Sequence, residues 1–114
     1  MIEISSRVDA NAYIIIIDGD VDASSSIHLD KAIISAIEED YKYILIDCSR
    51  LNYISSAGLG VFMSYIQDFE AQQINLVIFG LSEKVKNVFQ ILGLDQLLQI
   101  VDSEEEAKLV INDL

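Results

Sequence analysis

The chain has no proline, a single cysteine, and only seven lysines and arginines against nineteen aspartates and glutamates. Each shortage excludes something. Without proline, and without repeats or low-complexity tracts, there is no Pro-rich linker to divide the chain. Cys48 alone can form neither an internal disulfide nor a thiol cluster for zinc, and it suits a reducing cytoplasm. The net charge of -12 repels phosphate backbones and anionic membranes over most of the surface, which points to a protein or a small ligand as partner rather than nucleic acid. Long apolar runs are also missing. Tyr13 to Ile17 and Leu59 to Met63 fall far short of the roughly 20 residues of a membrane span, and MIEISSRVDA lacks the pattern of a secretory signal.

What is present suffices for a core. In 114 residues, 52% are hydrophobic and mean hydropathy is +0.37, enough for one domain over residues 1–114 and not for a disordered chain. The pattern predicts strands over Ile2–Val8, Tyr13–Asp18, Tyr43–Asp47, Ile74–Phe79 and Leu98–Val101. Between them lie helices with predicted inner faces Ile27, Ile33, Ile34 and Ile37, then Leu59, Phe62, Met63, Ile66 and Phe69, then Val85, Val88, Phe89 and Leu92. A last helix, opened by the capping box of Ser103 and Glu106, turns Ala107, Val110, Ile111 and Leu114 inward. Gly19 to Ser26 reads as a polar turn whose serines cap the first helix, Ser82 as a cap, and Gly93–Leu94 as a left-handed helix stop. Helices alternating with apolar strands define an α/β fold, a mixed and mostly parallel sheet of four to five strands flanked by about four helices, with the first two strands antiparallel across a turn near Asn11.

The segment from Ile44 to Tyr65 stands out, because the chain carries no charge from Leu51 to Gln67. In so acidic a protein, such a stretch is buried or is presented to a partner that tolerates no charge. Gly58 and Gly60 fall in the opening turns of a helix, where each costs on the order of 1 kcal/mol relative to alanine. Packing on the protein's own sheet accounts for one glycine easily, and a docking partner is the other reason for close approach. Ser55 and Ser56 stand at the helix start. A cap is the first reading, but only one of them can fill that position; the other hydroxyl lies beside unpaired N–H groups and the positive end of the helix dipole, where phosphate is readily held.

Other motifs fail on inspection. The third glycine of a dinucleotide fingerprint would fall at Met63. Asp18, Asp20 and Asp22 open like a calcium loop, but its required glycine and glutamate positions hold Ala23 and Leu29. A metal-dependent phosphatase using Asp18 and Asp20 stays open as a minor reading, with Lys84 and Lys86 as phosphate contacts. His28 has no triad partner, and Asp47 with Ser49 and Arg50 reads as loop organisation.

Three blocks resemble the STAS domain family, the bacterial anti-sigma factor antagonists. They are Gly19-Asp20-Val21-Asp22 with Ser24 to Ser26, the signature Ile46-Asp47-Cys48-Ser49-Arg50-Leu51-Asn52-Tyr53-Ile54-Ser55-Ser56-Ala57-Gly58-Leu59-Gly60, and Gly80-Leu81-Ser82 with Val85, Val88, Phe89, Gly93-Leu94 and Leu97-Leu98. The resemblance implies a non-enzymatic cytoplasmic switch without cofactor or metal, which binds an anti-sigma serine kinase and is released by phosphorylation of Ser56. Many phosphorylated members carry aspartate where this chain has Ser55, which leaves Ser55 as the alternative acceptor. The implied docking surface comprises Asp22, Ser24, Ser25, Ser55, Ser56, Gly58, Leu59, Gly60, Val61, Ser64 and Tyr65, and a weak homodimer is compatible with it. The family also includes unphosphorylated docking subunits of membrane transporters and sensory assemblies, the alternative role.

Overall fold

The computed structural model describes residues 2–112. Its order is β1 (Ile2–Asp9), β2 (Ala12–Val21), α1 (Ser26–Glu38), β3 (Tyr43–Ile54), α2 (Ser56–Gln72), β4 (Asn75–Phe79), α3 (Glu83–Ile91), a 3-10 turn (Leu94–Gln96), β5 (Gln99–Val101) and α4 (Glu104–Asn112). The five strands lie in sequence order across one sheet. The first pair is antiparallel, closed at Ala10–Asn11, and the other three pairs are parallel.

Alternation along the strands divides the core in two. Tyr13, Ile15 and Ile17 of β2 join Ile44, Ile46 and Cys48 of β3 beneath α1, α2 and α3. Ala12, Ile14, Leu45, Val77 and Phe79 face the other way, against Ala107 and Ile111 of α4. The run of isoleucines in β2 is therefore buried on both sides, as its composition predicts. At the hairpin end α4 is tied down by charge: Arg7 meets Glu104 at 2.6 Å, and Lys108 bonds both Asp9 and Glu104.

Two strands run further than their apolar centres. β2 continues through Gly19 to Val21 and β3 through Arg50 to Ile54, across two register shifts that mark bulges. Polar residues there made the sequence read as turn; they are instead the solvent side of paired strands, with Leu51 and Ile54 turned inward. Asp18 pairs with Arg50 at 3.6 Å, and the Asn52 amide donates to Asp20 at 3.1 Å.

The helix faces are rotated from those predicted at several positions. α1 buries Ser26, Leu29, Ile33 and Ala36, leaving Ile27 exposed and Ile34 at the margin. In α2 the inward residues are Gly58, Leu59, Phe62 and Phe69, while Met63 is exposed; in α3 they are Val85 and Phe89, while Leu92 is exposed. The buried faces thus include Leu29 and the small residues Ala36 and Gly58, which hydrophobicity alone does not single out. Val110 is half-buried beside Ala107 and Ile111, and Leu114 lies outside the described residues.

The caps follow the sequence more closely. Ser82 accepts from the Val85 N–H at 3.3 Å and Ser103 from the Glu106 N–H at 3.2 Å, with the Glu106 carboxylate reaching back to the Asp102 N–H. Gly93 takes the left-handed stop at φ 73° with Leu94 buried behind it. No serine side chain caps α1. The Ser26 N–H donates instead to the backbone carbonyl of Asp22 at 2.9 Å.

The neighbouring residues Phe62 and Met63 give a direct test of the α2 face. Phe62→Ala should lower unfolding stability by about 3–5 kcal/mol, whereas Met63→Ala should change it by less than about 0.5 kcal/mol, as read by urea titration.

Candidate functional site

Because β2 and β3 are parallel and Val21 pairs with Ile54, the chain leaves both strands at the same level of the sheet. In parallel sheets this carboxyl end is where binding surfaces collect. Here it brings together the Asp22 turn and the start of α2. The Ser55 N–H donates to the Val21 carbonyl at 2.8 Å, joining the two exits directly.

The Asp22 turn is built around one carboxylate oxygen. Asp22 Oδ1 accepts from the Ser24 N–H at 3.0 Å, the Ser24 hydroxyl at 2.8 Å, the Ser25 N–H at 2.9 Å and the Ser25 hydroxyl at 3.0 Å. In return, the Asp22 N–H donates to Ser25 Oγ at 2.8 Å. Four donors on one oxygen favour the charged form, and the Ser24 hydroxyl, followed by the Ser25 N–H and hydroxyl, holds the carboxyl down to about 2. Asp22 and Ser24 are exposed, but Ser25 is buried beneath the turn and presents nothing to a partner.

At the start of α2 the two serines take different roles. Ser55 has extended backbone, and its hydroxyl accepts from the Gly58 N–H at 3.3 Å, so it is the cap and is half-buried. Ser56 is the first helical residue and is exposed. Its own N–H and that of Ala57 belong to the first turn, which has no intrahelical acceptor, and no acidic residue lies in that turn.

The glycines divide as well. A Cβ on Gly58 would stand 2.7 Å from Cγ1 of both Ile54 and Val21, so this glycine lets the helix settle on its own sheet. Around Gly60 a Cβ would meet nothing within 4 Å, and the residue is exposed. Internal packing gives no reason for glycine there. The outward face of α2 runs Ser56, Gly60, Met63, Ser64, and Tyr53 at the end of β3 is also exposed.

The remaining predicted surface residues need sorting. Leu59 is 3% exposed, and with Gly58 it faces the core rather than a partner; Val61 is half-buried against the same cluster. Ser64 is exposed, its hydroxyl donating to the Val61 carbonyl at 2.7 Å. Tyr65 is a strut between helices: its hydroxyl donates to Asp30 of α1 at 2.5 Å and its ring stacks on Phe69. Burial first, and the Asp30 hydrogen bond next, push its phenol above the ordinary value. Sequence reasoning missed Tyr53 and Met63. For Met63 the signal was available in the spacing, seven residues after Ser56; Tyr53 turns outward only because the bulge after Leu51 breaks strict alternation, which the sequence does not show.

No group of three or more histidine, cysteine, aspartate or glutamate side chains among the described residues could hold a metal ion. Asp18 and Asp20 are occupied by Arg50 and Asn52, and Lys86 pairs with Asp102 at 3.4 Å. Burial, with a smaller contribution from the Asp47 charge, raises the Cys48 thiol well above its ordinary value and keeps it protonated. Among the described residues no helix is long and apolar enough to cross a membrane.

A mixed five-stranded sheet with the serine–glycine helix start at the carboxyl end of β3 is the arrangement of a STAS domain. The chain belongs to the STAS domain family, whose match covers residues 3–107. The anti-sigma-B factor antagonist of Listeria monocytogenes is 31% identical over 105 residues, 92% of this chain and 91% of that protein. Among solved structures, an anti-sigma factor antagonist from Mycobacterium paratuberculosis superposes with a TM-score of 0.90 at 14% identity, covering 98% of this chain and 95% of that one. The Bacillus cell fate determinant SpoIIAA in its phosphorylated form gives 0.70 at 22% identity, covering 97% and 99%.

Two experiments probe this geometry. Gly60→Ala should stabilise the fold by roughly 0.5–1 kcal/mol through helix propensity, while Gly58→Ala should lose on the order of 1 kcal/mol because overpacking outweighs that gain. For Asp22, the folded carboxyl titrates below its unfolded value, so its contribution is complete above about pH 4 and lost as pH falls towards 2. The melting-temperature gap between the native protein and Asp22→Ala should therefore be constant from about pH 5 to 7 and close by about pH 2.

Proposed function

We propose that this protein is a cytoplasmic anti-sigma factor antagonist that binds an anti-sigma serine kinase and is released when Ser56 is phosphorylated. The observation that carries the reading is the division of labour at α2: Ser55 caps the helix and Ser56 stands free at its first position. Membership of the STAS family and the 31% identity to an anti-sigma-B factor antagonist support the role, and the phosphorylated form of SpoIIAA supports the switch.

The chemistry of release follows from charge. Before modification, Ser56, Gly60, Met63, Ser64 and Tyr53 offer a neutral surface on an acidic protein, and Gly60 lets a partner's backbone approach the helix. A phosphate on Ser56 Oγ adds about -1.5 to -2 charges at the centre of that surface. The free N–H groups of the first turn and the helix dipole stabilise the phosphate within the free protein, whereas a partner docked there would have to desolvate it. The modified chain thus keeps its fold and loses its partner. Phosphorylation of Ser55 would instead remove the cap from Gly58, which favours Ser56 as acceptor. The protein contributes the acceptor and the docking surface; the kinase supplies the phosphoryl transfer. Asp22 and Ser24, on the adjoining turn, form the second part of the contact.

The test combines modification with binding. Incubated with an anti-sigma serine kinase and ATP, the native protein should gain one phosphate, located on Ser56 by peptide mass spectrometry and absent from Ser56→Ala. In calorimetric titration, Ser56→Ala should bind that kinase like the native protein and Ser56→Asp at least about tenfold more weakly, a difference of about 1.4 kcal/mol. Equal affinities, or phosphate on Ser55, would overturn the assignment.

A further inference from the structure

β1 is the terminal strand of the sheet among the described residues, and its outer edge is a row of backbone donors and acceptors. Such edges are ordinarily kept from pairing by proline, lysine, a bulge or shortness. β1 has no proline, lysine or bulge: it runs eight residues as IEISSRVD, pairs with β2 without a register shift, and its charged residues, Glu3, Arg7 and Asp9, are of both signs. Val8 at its far end is 53% exposed, although it is apolar and lies in a regular strand.

The strand is complementary to itself. A two-fold axis perpendicular to the sheet sets a second copy antiparallel and keeps both faces continuous, so only residues of matching parity can stand opposite one another. Centred on Ser5, this pairing places Glu3 opposite Arg7 twice, Ile2 opposite Val8, and Ile4 opposite Ser6. The opposite charges meet on one face and the exposed Val8 is covered on the other. Centring on Ser6 instead sets Glu3 against Asp9, and centring on Ile4 leaves Glu3 opposite Ser5 with no ion pair.

We propose that the β1 edge is a self-association surface, on which a second copy of this chain pairs antiparallel about Ser5 to make a continuous ten-stranded sheet. It lies at the opposite margin of the sheet from β5, and its Ile2 end adjoins the Asp22 turn. Each chain carries a net charge of -12, so mutual repulsion confines the dimer to high protein concentration and adequate salt, where the screening length falls to about 8 Å or less.

The register makes the test specific. Directly opposite residues of an antiparallel pair have Cα atoms about 4.5–5.5 Å apart, within reach of a disulfide, so Ser5→Cys should give a disulfide-linked dimer under mild oxidation. Val8→Cys, on the same exposed strand, would lie about 20 Å from its counterpart and should remain monomeric. Cys48, 1% exposed, does not compete. In sedimentation velocity of the chain without added cysteines, Glu3→Lys should weaken dimerisation about tenfold and the double exchange Glu3→Lys with Arg7→Glu should restore it. Arg7 also pairs with Glu104 of its own chain, so the folding of the double variant is checked by circular dichroism, and the cysteine pair decides if it unfolds. Crosslinking of Ser5→Cys no faster than Val8→Cys, or a folded double exchange no better than Glu3→Lys alone, would overturn the proposal.

Discussion

The start of α2 can lie where it does only because Gly58 has no side chain. Val21 and Ile54 close on that position from the ends of β2 and β3, each leaving less room than a methyl group needs. With the helix seated, the Ser55 N–H reaches the Val21 carbonyl, Ser55 is held in the cap position, and Ser56 is left outside. The Asp22 turn begins one residue after Val21 and is drawn into the same surface. A single close contact between helix and sheet thus fixes which serine is structural and which is free.

Much of this architecture is legible in the sequence because one requirement dominated locally. The isoleucines from Ile14 to Ile17 specify a central strand, Ser82 and Ser103 specify helix starts, and Gly93 specifies a stop. The family resemblance, carried by the block from Ile46 to Gly60, likewise agrees with the match over residues 3–107. What the pattern hid depended on tertiary context. The ends of β2 and β3 read as turn because their polar side chains face solvent in a paired ribbon. The helix faces differ from those predicted because small residues, Ala36 and Gly58, lie on the buried side while Ile34 and Met63 are turned outward. Leu59, placed on the docking surface by the family resemblance, is in the core: a helix turns by about 100° per residue, so it shares the buried side with Gly58 while Gly60 faces outward. Which of two adjacent serines becomes the cap is set by the Val21 hydrogen bond, a contact between residues far apart in the chain.

Electrostatics draw the same boundary as packing. Acidic side chains are spread over the protein, yet the seventeen residues from Leu51 to Gln67 carry no charge. At one border of this neutral region stands Asp22, whose oxygen is so fully occupied by Ser24 and Ser25 that it remains ionised throughout the neutral and mildly acidic range. The surface therefore combines a fixed negative mark with an uncharged helix face. A phosphate added at Ser56 changes the one part of it that carries no charge to begin with.

Beyond Asp47, β3 is paired with β2 alone, since β4 ends at Phe79 opposite that residue. β1 flanks β2 as far as Gly19, and past that point the two strands continue alone as a short arm whose tip, at Val21 and Ile54, bears against Gly58. In mechanical terms it is a cantilever clamped at the sheet and propped at its free end. Under the proposed role, a partner arriving there would meet a surface already held in shape, with little chain to order on contact, so that affinity and release would follow from what the surface presents rather than from the cost of arranging it.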